Sequence, residues 1–276
     1  MRRAFRLAYD GRPFRGFQRQ PDVPTVEDAL FDALRAHGVF EGDKPPGYAA
    51  AGRTDAGVSA LAQTVAFDCP EWLTPRALNA ELHDAVRAWA HAAVPADFHA
   101  THDAVAREYV YHLYAPAADP ALARDAARAL SGAHDFHNLT SDDAGTERDL
   151  SLAVERDDDG DGDFLALRAR AGGFPRGFVR RVASLVRSVA TGAAPPSKVE
   201  RVLAPDPLPG PEGVPEAPPG PLVLAGVDYD RPRFDVAFER DARAVRDTRA
   251  FFAEERAARR ASARVAGTVV DGLTDR

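Results

Sequence analysis

Apolar side chains switch between two spacings along this chain, and the switches mark out its elements. Residues 2–9 alternate in part and stop at Asp10-Gly11, the pattern of a strand running into a loop. From Thr25 the spacing lengthens. Ala29, Leu30, Ala33 and Leu34 form one helical stripe through His37, with Thr25 and Asp28 placed to cap the start and Gly38 at the exit. Strands are predicted over 61–68 and 86–94, with a short helix over 74–82 opened by Thr74-Pro75. The same grammar then returns: a strand over 105–114, a helix over 120–130, and a hairpin over 150–156 and 164–171 turning at Asp-Gly-Asp-Gly. A helix over 178–190 places Phe178, Val182, Leu185, Val186 and Val189 on its buried side. Late strands are predicted over 222–228 and 234–238, and a charged helix over 241–264. Residues 205–221 include eight prolines, which excludes a helix and leaves a semi-rigid exposed loop.

This order predicts an α+β protein of two similar α/β units with mostly antiparallel sheets. The first unit spans 1–104, the second 105–240, and 241–276 forms a helical extension. The two units share an order of elements and no sequence repeat. A chain of 276 residues can bury cores for both.

The net charge of -7 argues weakly against a nucleic-acid partner, but the charges are segregated. Six arginines lie between Arg2 and Gln20 against one acid, Asp10, and six more between Arg168 and Arg187 with no acid. Local potential governs phosphate contacts, so these runs outweigh the sum; the plainer alternative for each is a solvated face. No apolar run reaches 18 residues, and the basic start lacks the apolar stretch of a secretory signal. Cys69 is the single cysteine, so no internal disulfide forms and a cytoplasmic location is expected. His99-x-x-His102 and His134-x-x-His137 lack cysteine partners, so no metal is expected. Phosphate-loop and dinucleotide fingerprints are missing too, and no cofactor is expected.

The densest chemical signal is Gly52-Arg53-Thr54-Asp55-Ala56-Gly57-Val58. Two glycines bracket an Arg-x-Asp unit, which lets a tight loop present a carboxylate at a cleft. Such a carboxylate serves as nucleophile or base. A turn whose Asp bonds backbone amides has the same spacing, and spacing alone does not choose.

Five segments in register resemble the TruA-type tRNA pseudouridine synthase family. Residues 52–60 resemble its signature loop, with Ser59 where the family usually has histidine. Tyr9 to Gln20 resembles its opening loop. Phe98-His99-Ala100 with Arg107-Glu108-Tyr109-Val110-Tyr111 resembles its central strand, with Thr101 and Asp103 as departures. Phe178-Val179-Arg180-Arg181-Val182 resembles its arginine-bearing helix, and residues 222–229 its last strand, with Pro221 in place of glycine. The resemblance spans residues 5 to about 240 and leaves the final helix outside it.

That resemblance implies the two units join around a central basic cleft. It implies an isomerase that converts uridines at positions 38, 39 and 40 of the tRNA anticodon stem-loop to pseudouridine, without metal or organic cofactor. Asp55 matches the catalytic carboxylate, which either attacks the nucleoside or removes a ribose proton to give a glycal. Arg180 matches the guanidinium paired with it. Arg53 assists base extrusion or grips a phosphate, Tyr109 stacks on the target base, and Leu222 forms an apolar wall. Arg2, Arg12, Arg15, Arg19, Arg176 and Arg181 are candidates for a tRNA track. The implied partners are tRNA and a second copy in a homodimer, with no membrane. Ser59 and Thr101 keep a non-catalytic tRNA-binding protein on the same scaffold as the alternative.

Overall fold

The computed structural model describes residues 1–157, 163–229 and 236–274. Strand β1 (Arg2–Tyr9) sits between β3 (Ser59–Asp68) and β4 (Val86–Ala93), antiparallel to both, and the short β2 (Ala49–Ala50) adds to β3. In the second half, β5 (Ala106–Tyr114), β6 (Gly132–Asp135), β7 (Glu147–Asp157) and β8 (Phe164–Ala171) run in the spatial order β5-β8-β7-β6, again antiparallel. The two halves meet through β9 (Leu222–Asp228), which enters between β3 and β5 and completes one mostly antiparallel sheet. β10 (Glu239–Arg240) edges β4.

Among the described residues the β3–β9 pair is the parallel one, with Ser59 opposite Val223 and Ala60 opposite Leu224. Parallel neighbours start at the same end of a sheet. The loop before β3, which carries Asp55, is therefore brought beside the proline-rich loop before β9. β5 runs antiparallel to β9, with Tyr109 opposite Leu224 and Tyr111 opposite Leu222. The register thus gathers Asp55, Tyr109 and Leu222 at one point of the central sheet.

Helices cover these strands as their apolar stripes require. α1 (Val26–Ala36) is capped by Thr25, whose hydroxyl accepts from the Asp28 amide, and buries Leu30, Phe31 and Leu34. α3 (Pro120–Leu130) and α4 (Phe178–Ala190) pack together over the second half, where α4 buries the stripe from Phe178 to Val189. One buried cluster centres on Phe5, Tyr9, Phe17, Phe67 and Phe98, a second on Phe136, Phe178, Leu185 and Val186.

Several expectations shift. α2 (Pro75–Leu78) is one turn rather than a helix to 82, because the chain turns at Asn79, whose amide side chain bonds Ala88 on both its N–H and C=O. β6 and α5 (Ser197–Leu203) were not legible as elements. β6 alternates half-buried with exposed residues and gains its pairing only from β7. The Asp-Gly-Asp-Gly turn lies outside the described residues, as do Phe234 and Asp235 of the strand predicted over 234–238; residues 236–238 form no strand. α6 (Ala242–Thr274) runs ten residues past the predicted end, and among the described residues no helix is long and apolar enough to cross a membrane.

Candidate active site

A cleft of about 1250 Å³ opens where β3, β5 and β9 begin or meet. Asp55, Arg53, Tyr109, Arg180 and Leu222 all line it, from four separate parts of the chain. Among the described residues its walls carry eight arginines and lysines against four carboxylates, so the cleft is positive although the chain is not.

The Asp55 loop is pinned from both sides. The Tyr9 hydroxyl lies 2.8 Å from the Thr54 hydroxyl, and the Phe17 amide donates to Thr54 O at 3.0 Å. Gln63 Nε2 donates to Gly52 O at 2.8 Å, and Arg107 reaches Ala51 O through Nε and Nη2. Inside the loop the Val58 amide donates to Asp55 O at 3.1 Å, closing a turn in which Gly57 takes φ +80°. Only glycine holds that conformation without strain. Asp55 is left with 41% of its side chain exposed, so its carboxylate is reachable from the cleft.

Arg180, near the start of α4, places Nη1 3.5 Å from Asp55 Oδ2. Its Nε donates to Ala217 O at 2.7 Å, which fixes the guanidinium plane. Tyr109 is half-buried, its ring edge-on to Phe174 with centroids 5.2 Å apart. Burial, with the Asp55 charge adding to it and Arg107 opposing, pushes the Tyr109 phenol up to about 12, so it stays neutral. Leu222 is buried beneath the cleft, as an apolar wall must be. Tyr111, two residues from Tyr109, is a core residue whose hydroxyl donates to Pro218 O at 3.0 Å. Arg53 is exposed at the rim and makes no ion pair among the described residues.

The arginine track divides. Arg15, Arg19 and Arg176 line the cleft. Arg2 does not: the β1–β3 register sets it opposite Asp68, which it grips at 2.7 and 3.2 Å. Arg12 is bound to Asp10 and to Glu255 of α6, and Arg181 to Val214 O and Glu216. All three are committed to the fold. The His99 and His102 rings lie 4.2 Å apart, and no group of three metal-ligating side chains occurs among the described residues. Phe174 and Glu216 were missed. The first sits in a glycine-rich turn and the second in the proline-rich segment, and nothing in either's sequence pattern points to a site.

The profile of the tRNA pseudouridine synthase family matches residues 126–230. The proteins called tRNA pseudouridine synthase A in Haloarcula marismortui and Natronomonas pharaonis are 55% and 57% identical to the chain, covering 98% and 97% of it and 100% and 98% of their own length. The protein of that name in Methanosarcina acetivorans is 39% identical over 83% of this chain and 85% of its own. Among solved structures, the archaeal box H/ACA sRNP Nop10-Cbf5 complex overlaps 68% of this chain and 43% of that one, at a TM-score of 0.37 and 13% identity, too distant to bear on the site. The chain belongs to the tRNA pseudouridine synthase A family, a family of isomerases.

Proposed function

We propose that this protein isomerises uridine to pseudouridine in the tRNA anticodon stem-loop, with Asp55 as the essential carboxylate. The observation that carries the reading is a half-exposed carboxylate in a positive cleft, beside a held guanidinium and a half-buried tyrosine ring. Uridine and pseudouridine are isomers: the N1–C1′ bond breaks, C5 joins C1′, C5 gives up a proton and N1 gains one. No co-reactant enters. Asp55 acts either by attacking the nucleoside or by taking a ribose proton, and both routes need the base swung out beside it.

The remaining residues divide the work. Tyr109 offers a ring for the extruded base, Leu222 an apolar floor, and Arg180 a counter-charge that orients Asp55. Arg53, free at the rim, assists extrusion or grips a flanking phosphate. Arg15, Arg19 and Arg176 contact the RNA backbone, so selection rests on shape more than on base sequence. A homodimer would let one tRNA rest on both subunits.

The test is incubation with unmodified tRNA and mass-spectrometric mapping of pseudouridine. Wild-type protein forms it, and Asp55→Asn binds tRNA while losing about 10³-fold or more in rate. Release of free uracil would make the chain a nucleosidase instead, and an active Asp55→Asn would remove the assigned role.

A further inference from the structure

Glu216, from the proline-rich segment, stands closer to Arg180 than Asp55 does. Its Oε2 lies 2.6 Å from Arg180 Nη1, against 3.5 Å for Asp55 Oδ2, so one nitrogen is shared between two carboxylates. Glu216 is itself built in. Its Oε1 pairs with Arg181 Nη2 at 3.3 Å, and its side chain lies over the bare Cα of Gly177, where any side chain would collide with it. On either side, Ala217 exchanges backbone and side-chain bonds with Arg180, and Val214 O accepts from Arg181 at 2.6 Å. The segment is thus tied to the first turn of α4 along residues 214–217.

We propose that Glu216 is a positioning residue for the isomerisation, an inference that rests on the assignment of Asp55. Its charge holds Arg180 at a distance at which the guanidinium orients the Asp55 carboxylate without closing on it. A carboxylate locked in a tight pair is a poorer nucleophile or base than one facing a cation already engaged elsewhere. Glu216 acts through Arg180 and needs no contact with RNA, so its loss falls on kcat and spares tRNA affinity.

The experiment is a double-mutant cycle in single-turnover pseudouridine formation on unmodified tRNA. Glu216→Gln keeps the side chain's shape and removes its charge. It is expected to retain the thermal melt, to bind tRNA within about twofold of wild type and to lose about tenfold or more in rate. In an Arg180→Lys background the same change costs little further, because the two residues act as a unit. Glu216→Gln at the wild-type rate, a loss confined to tRNA binding, or full additivity with Arg180→Lys each overturns the proposal. Should Glu216→Gln fail to fold, Glu216→Asp, which keeps the charge, is expected to fold and to recover most of the rate; a rate at the level of Arg180→Lys overturns it. Asp55→Asn runs alongside. If that variant still forms pseudouridine, the reading of the site falls; if it is inactive and Glu216→Gln is not impaired, only the role of Glu216 falls.

Discussion

Two loops enter the site side by side, one rich in glycine and the other in proline. Residues 52–58 bend sharply enough to present Asp55, and residues 205–221 run past them to Leu222, with a single 3-10 turn over Gly210–Glu212 where the prolines were expected to exclude any helix. Both precede strands of the parallel β3–β9 pair, so the sheet holds them together whatever their composition. The glycine loop makes its bend from backbone freedom and is held by neighbours that approach its main chain. The proline loop has little freedom to lose, and it contributes carbonyls and one carboxylate that grip Arg180, Arg181 and Tyr111. The same end of the sheet is therefore served by a loop whose turn depends on a glycine at positive φ and by one that is defined by what it touches.

Substitutions can break that contrast. The largest effect is expected for Gly11→Ala, because a Cβ there would stand inside contact distance of Val58 O, a backbone atom that cannot rotate away. Thermal or denaturant unfolding should register a loss of about 2–4 kcal/mol, of the kind overpacking produces. Gly57→Ala should cost less, about 1–2 kcal/mol for a side chain at positive φ, with a lower rate as the Asp55 turn shifts. That new Cβ would meet Pro219 Cγ at 3.3 Å, a contact the proline ring can relieve. Pro219→Ala should be the mildest, about 0.5 kcal/mol from added freedom in the unfolded chain, with turnover unchanged. A Pro219→Ala variant as damaged as Gly57→Ala would show that the proline side is also packed to its limit.

The hydrophobic pattern revealed most of the strands and helices, since β8, α3, α4 and β9 begin and end where their periodicity does. It faltered where an element owes its existence to a partner. β6 has too few apolar residues to announce a strand, and the tail of α6 extends past any packing surface, with Val265, Val269 and Leu273 exposed. The arginine runs were legible as runs. Which members line the cleft was decided by where the fold places them: Arg19 and Arg176 do so although each has an acid partner, while Arg2, Arg12 and Arg181 are tied to Asp68, Asp10 and Glu216 outside its lining.

By itself the sequence determined the glycine-flanked Asp55, the arginine on α4, Tyr109 on its strand and the order of the strongly patterned elements, because each is written in local spacing or in a short motif. Only the tertiary structure decided that these meet, through a strand from the end of the chain inserted parallel to one from its beginning. It alone decided that Arg180 answers to two carboxylates rather than one. The physical reason is that a charge's partner is set by distance in space, and residues 55, 180 and 216 become neighbours only when the sheet closes between the two halves.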